Sequence, residues 1–141
     1  LDALRDPGNL GTMLRTAGAA GVQAVLLSPD CADPYNPKVL RAGMGAHFRI
    51  PLATLDWPQI ATICAPLRVY LADSAGGVRY DQADWSAPWA LLIGSEAHGA
   101  GTQALDLAAA RIFIPMSAAT ESVNAAMAAS VILFEALRQR L

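Results

Sequence analysis

The sequence predicts an α/β domain, with a mostly parallel sheet and helices on both faces. Short apolar runs alternate with helical windows along all 141 residues, the pattern of strand–helix–strand units. Two of these runs pass straight into loops rich in Gly, Pro and small polar residues, at Gly94–Gly99 and Pro115–Met116. A third such loop, Glu121–Asn124, opens onto an Ala-rich helix. Open α/β sheets place small-molecule ligands at the carboxyl ends of their strands, so the three loops predict one composite pocket.

In chain order, Leu1–Leu4 reads as the tail of a strand. Asp6-Pro7-Gly8-Asn9 reads as a turn and helix start, with Asn9 as candidate N-cap. A helix over Leu10–Ala20 follows, because Leu10, Met13, Leu14 and Ala17 recur on one face. Gly11, Arg15 and Gly18 share a neighbouring face. Glycine within a helix costs about 1 kcal/mol relative to alanine. Either the pair clears space for an approach to the Arg15 guanidinium, or it permits tight helix packing beside a solvated Arg15. Further strands are expected at Ala24–Leu27, His47–Ile50, Arg68–Ala72, Ala90–Ile93 and Arg111–Ile114. Further helices are expected at Pro37–Gly43, Trp57–Cys64, Thr102–Ala109 and Val123–Arg140. The last carries Val123, Ala126, Met127, Ser130, Phe134, Leu137 and Leu141 at helical spacing, with Ala128, Val131, Ile132 and Leu133 among those opposite. A helix apolar nearly all round must be covered on both sides. The second cover is expected to be another subunit, or else a further domain of a parent protein.

Composition bounds the function. Hydrophobic residues make up 54% and charged residues 16% of the chain, which disfavours disorder. No apolar run approaches the roughly 20 residues of a membrane-spanning helix. There is no secretory signal pattern, and the start at Leu1 rather than Met reads as a fragment. Cys31 and Cys64 lie far apart without metal-ligand spacing, as expected of reduced thiols in a cytoplasmic protein. The net charge of −2 argues against a surface built wholly for phosphate binding. Even so, Arg5, Arg15, Lys38, Arg41 and Arg49, half of the Lys and Arg residues, fall within residues 1–50 together with His47. A local basic face is compatible with that distribution.

Gly94-Ser95-Glu96-Ala97-His98-Gly99 is not the G-x-S-x-G of a hydrolase elbow. Nor is it a dinucleotide fingerprint or a P-loop with its lysine. It remains a glycine-rich turn after a buried strand, where Gly94 would let a ligand lie against the backbone and Glu96 offers a carboxylate. His98 reads as a loop residue rather than a general base. Ile114-Pro115-Met116 ends a strand at a proline, leaving backbone groups available to a ligand. Ser122 or Asn124 would cap the last helix, or turn its side chain toward the same pocket. No cluster has metal-ligand spacing, and no metal is expected.

Taken as an ordered set, these motifs carry a resemblance. Asp6-Pro7-Gly8-Asn9-Leu10-Gly11-Thr12-Met13-Leu14-Arg15-Thr16-Ala17 resembles motif 1 of the SpoU (TrmH-type) RNA 2′-O-ribose methyltransferases of the SPOUT superfamily. Leu92-Ile93-Gly94-Ser95-Glu96-Ala97-His98-Gly99 resembles motif 2. Ile114-Pro115-Met116 through Glu121-Ser122-Val123-Asn124-Ala125-Ala126-Met127-Ala128 resembles motif 3, continuing to Arg140. The motifs span nearly the whole chain, while the stretch from about Asp30 to Ser86 adds only a compatible α/β pattern.

The resemblance implies an α/β fold with a carboxyl-terminal trefoil knot, an exception to unthreaded chains. It implies S-adenosylmethionine as cofactor, held at Gly94, Ile114 and Val123 with Leu92, Ile93 and Met116 as neighbours. It further implies a homodimer, and an RNA substrate, ribosomal rather than transfer RNA by analogy. Arg15 would activate the ribose hydroxyl, with Asn9, Glu96, Ser122 and Asn124 as the other polar positions. Because an arginine pKa exceeds 12, a cation gripping phosphate and stabilising alkoxide charge is the preferred role, with literal proton abstraction as the alternative. Residues 1–141 would be the catalytic domain, with an amino-terminal RNA-binding domain outside this chain. Val123 stands where the family usually has leucine, and Gly18 where it commonly has Asp or Glu. The rival readings are a non-catalytic RNA-binding module, a base-methylating relative and a dehydrogenase.

Overall fold

Among the described residues, three of the five α-helices begin at or beside a proline that follows a capping side chain, and these short signals set much of the segmentation. In the computed structural model, which describes residues 1–117 and 119–141, α1 spans Pro7–Ala19 and the Asp6 carboxylate accepts from the Asn9 amide at 2.7 Å. The cap is therefore Asp6, and the Asn9 side chain is left free for another partner. Helix α2 spans Pro37–Gly43 behind Asn36, and α3 spans Trp57–Cys64 behind a reciprocal Asp56–Gln59 capping box. Helix α4 covers Thr102–Leu107. Helix α5 covers Ala125–Arg138, capped by Asn124, whose side-chain oxygen accepts from Ala126 and Met127.

The strands are β1 (Val25–Leu27), β2 (Leu52–Thr54), β3 (Arg68–Ala72), β4 (Val78–Arg79), β5 (Trp89–Ile93) and β6 (Ala110–Phe113). All pairings are parallel, in the orders β1-β2 and β4-β6-β3-β5. Leu1 and Asp2 join the two groups. The Leu1 nitrogen donates to Leu26 and the Leu1 carbonyl accepts from Ser28, while the Asp2 amide donates to Ile93. This is the hydrogen bonding expected of a strand tail, although no strand is assigned there.

Side chains alternate across β3. Val69 and Leu71 pack with Ile60 and Cys64 of α3 and Ala104 of α4. Tyr70 faces the other way, onto Ile132 and Ala136 of α5. Helices thus cover both faces. On the α5 side, Leu10, Met13, Leu14 and Ala17 of α1 pack with Ala126, Ala129 and Leu133 in the main core.

Several expectations are corrected. His47–Ile50 is not a strand; Ala46–Phe48 is a single 3₁₀ turn, and the strand comes at Leu52–Thr54. Met44 and Gly45 both adopt left-handed backbone, at φ 48° and 83°. They fold the chain back so that Phe48 donates to the Gly45 carbonyl. The two-residue β4 was not foreseen. In α5 the inward face is Ala126, Ala129, Ile132, Leu133 and Ala136, drawn from both expected sides, while Met127, Val131 and Phe134 stay exposed. Of the two α1 glycines, Gly11 is needed for packing: a Cβ there would lie 2.5 Å from Ala42 Cβ and 2.7 Å from the Val39 carbonyl of α2. Nothing lies within 4 Å of the corresponding position at Gly18.

Candidate active site

A cavity of about 710 Å³ opens at the carboxyl ends of β3, β5 and β6, beside the start of α5. That volume and position suit a small-molecule site in a parallel sheet. Gly94, Ile114 and Val123 all line it, together with Ile93 and Met116. So do Glu96, Ser122 and Asn124. Three loops separated in sequence therefore meet at one cleft, as the strand-end argument required.

Leu92 is the exception among the expected cofactor neighbours. Its side chain points to the opposite face, into the cluster of Ile60, Cys64 and Leu71, and it lines a different cavity of about 620 Å³ between β1 and β5. Strand alternation sends Leu92 away from the face that Ile93 occupies.

A chain of side-chain hydrogen bonds ties the cleft together. Asn124 Nδ2 donates to Asn9 Oδ1 at 3.0 Å, and Asn9 Nδ2 donates to Glu96 Oε1 at 2.6 Å. Since Asn124 Oδ1 also caps α5, one residue fixes the helix start and the first link of the network. Asn9 does not line the cavity itself; it braces two residues that do. Arg15 lies six residues further along α1, about 9 Å along the helix axis. It is exposed and does not line the cavity. Among the described residues it has no ion pair.

The loop after β5 is closed on itself. Ser95 and Gly99 exchange two backbone hydrogen bonds at 2.9 Å, and Ser95 Oγ accepts from the His98 amide. A Cβ on Gly94 would lie 2.4 Å from the Gly99 carbonyl carbon. Gly94 is thus required by the loop's own backbone as well as lining the cavity.

Two contributors escaped the sequence reading. Asp2 is buried, and its carboxylate accepts from the Gly101 amide at 2.7 Å, anchoring the far end of the Gly94–Gly99 loop. Asp73, at the carboxyl end of β3, lines the cavity and pairs with Arg111 at 3.2 Å. The strand-end rule that selected Gly94 would have selected Asp73 as well. No local signal marks Asp2, whose partner is 99 residues away.

No group of three or more His, Cys, Asp or Glu able to hold a metal is found among the described residues. Nor is any of their helices long and apolar enough to cross a membrane.

Known proteins share this fold. The model of the SpoU rRNA Methylase family matches residues 1–134. The human protein named rRNA methyltransferase 3, mitochondrial, is 38% identical over 98% of this chain and 46% of its own length. RlmP of Bacillus subtilis, named a 23S rRNA guanosine 2′-O-methyltransferase, is 36% identical over 95% of this chain and 55% of its own length. Among solved structures, the AdoMet-bound rRNA methyltransferase of Sinorhizobium meliloti superposes with a TM-score of 0.93 at 38% identity. That match covers 100% of this chain and 55% of that one. The SpoU methyltransferase AviRb of Streptomyces viridochromogenes, in complex with AdoMet, gives 0.88 at 33% identity, over 99% of this chain and 56% of that one. The chain spans about half the length of these relatives. With the family model covering nearly every residue, this chain belongs to the SpoU rRNA methylase family.

Proposed function

We propose that this chain transfers a methyl group from S-adenosylmethionine to a ribose 2′-hydroxyl of structured RNA, ribosomal RNA before transfer RNA. The observation that carries the reading is the convergence of Gly94, Ile114 and Val123 on one cleft, in a fold matched over its full length by an AdoMet-bound structure. The residues present fit such a cofactor. Ile93, Ile114 and Met116 offer apolar walls, strand-end backbone offers donors and acceptors, and Asp73 and Glu96 put carboxylates in the lining of a cavity proposed for a cationic, hydroxyl-bearing molecule.

S-adenosylmethionine, when bound, supplies an electrophilic methyl group on a sulfonium. The chain's task is alignment and charge. Asn9, Glu96 and Asn124 hold the two loops in register through their hydrogen-bond chain, which favours a fixed geometry of attack. Ser122 and Asn124 orient the ribose or the methionine end. Arg15, standing outside the cavity, acts on the RNA: its guanidinium grips a phosphate and stabilises the developing alkoxide. A pKa above 12 makes it a poor base.

A homodimer belongs to the same proposal. Val123, Met127, Val131 and Phe134 are each between 42% and 51% exposed along one side of α5 and its cap, an apolar stripe that a second copy would cover. Family membership extends the reading to the trefoil knot, and to residues 1–141 as the catalytic domain. A cytoplasmic setting is supported by two free cysteines; the mitochondrial relatives make cell fractionation its check.

Calorimetric titration with S-adenosylmethionine tests the first step. Transfer of labelled methyl to ribosomal and transfer RNA, read as alkali-resistant linkages, tests the second. Absence of cofactor binding would leave only an RNA-binding role, and label on bases would overturn the ribose assignment.

A further inference from the structure

The segment Tyr35–Arg49 is an exposed apolar and cationic stretch that the cleft does not use. Phe48 is 93% exposed, and Met44 and Tyr35 are more than half exposed. Lys38, Arg41 and Arg49 belong to the same segment and are all exposed. Among the described residues none of the three cations has an ion pair, whereas Arg79, Arg111 and Arg138 elsewhere are each paired to a carboxylate. The acid nearest in sequence is Asp33, whose Oδ1 accepts from the Tyr35 amide.

This segment is built, not loose. The His47 ring nitrogen Nε2 bonds the Pro34 carbonyl at 2.7 Å, and the His47 ring sits 5.8 Å from that of Tyr35. Val39 and Gly43 are buried, and α2 docks on α1 at Gly11. Arg15, one helical turn beyond Gly11, shares its face; it too is exposed and has no ion pair among the described residues.

We propose that this face is a second contact for single-stranded RNA, with Phe48 stacking on an unpaired base and Lys38, Arg41 and Arg49 holding the flanking phosphates. The proposal rests on the RNA-directed reading above. An exposed aromatic ring among unpaired cations is the combination that single-stranded nucleic acid recognises. A second copy of the chain is the weaker occupant. A two-fold interface would set this patch against itself, bringing three cations of each copy together, while the stripe on α5 carries no such penalty.

The test uses the whole chain and a fluorescein-labelled oligouridine of about twelve nucleotides, within the span of a single-strand site. Phe48→Ala should weaken binding by about 5- to 100-fold, and Phe48→Trp should restore it. Arg41→Ala with Arg49→Ala should reduce the slope of log affinity against log salt by about 1.4. S-adenosylmethionine affinity and sedimentation should not change in any variant. Wild-type RNA affinity in Phe48→Ala would overturn the proposal, as would a change of association state, which would make the face a protein interface. A wild-type chain that binds no RNA overturns it too, and the cofactor titration then tells whether the methyltransferase reading falls with it.

Discussion

Gly11→Ala and Gly18→Ala are the same chemical change seven residues apart on one helix, and the structure predicts opposite signs. At Gly11 the new Cβ would meet Ala42 Cβ at 2.5 Å, the Val39 carbonyl at 2.7 Å and the Gly43 amide at 2.9 Å. Carbon contacts are comfortable near 3.5–4.0 Å, so α1 and α2 must part by about 1 Å. Two of the three obstructing atoms are backbone, which no rotamer change can move. Overpacking of this kind costs about 1–3 kcal/mol. The gain in helix propensity of about 1 kcal/mol offsets part of it, leaving a net loss of up to about 2 kcal/mol. At Gly18 nothing lies within 4 Å, so only the propensity and unfolded-chain terms remain, a gain of about 0.5–1 kcal/mol. Urea unfolding should separate the variants by roughly 2 kcal/mol, or about 6 °C in Tm. Two alanine variants within about 0.5 kcal/mol of each other would refute the claim that α1 docks on α2 through Gly11.

Removing the Asp2 carboxylate by Asp2→Ala leaves the Gly101 amide without its 2.7 Å acceptor. The expected cost is about 1–3 kcal/mol, with faster amide exchange across Gly99–Gly101 and weaker cofactor binding; Asp2→Asn should restore part of each. Arg15→Ala should lower methyl transfer at least about 100-fold while calorimetry gives a nearly unchanged S-adenosylmethionine affinity, because Arg15 does not line the cavity; retention of most turnover would contradict its role. Glu135, bonded by Arg138 and then by Gln139, has its pKa lowered from 4.5 to about 2. A carboxylate depressed on folding stabilises above its unfolded pKa. Its contribution should therefore persist at neutral pH and fade as pH drops from about 4.5 toward 2, a slope that Glu135→Gln should flatten in acid titrations followed by circular dichroism.

What the sequence made legible follows the range of the interactions involved. Helices α2 and α3 are bounded by local signals, Asn36 with Pro37 and Asp56 with Pro58, and their expected limits match the structure. The apolar stripe of α1 is likewise a local period, and all four of its residues are buried. The His47–Ile50 strand failed because Met44 and Gly45 turn the backbone left-handed, which a run of alternating side chains does not disclose. Strand β4 has two exposed residues and exists only through its backbone pairing with β6. Asn9 stands at a cap-like position, but Asp6, three residues earlier, fills that role; the Asn9 side chain bonds partners 87 and 115 residues away. The cleft itself was legible because strand ends converge by topology. Its bracing by Asp2 and Asn9 was not, since such contacts depend on the assembled sheet.

The central claim, that the cleft at the ends of β5 and β6 holds the cofactor, is tested most directly by amide hydrogen exchange with and without S-adenosylmethionine. Slowed exchange at Ser95–Gly99, Met116 and Val123–Asn124, with β1 and α3 unchanged, is the predicted result. Protection concentrated instead on Val25–Leu26 and Ile60–Cys64, which line the other cavity, would contradict the account.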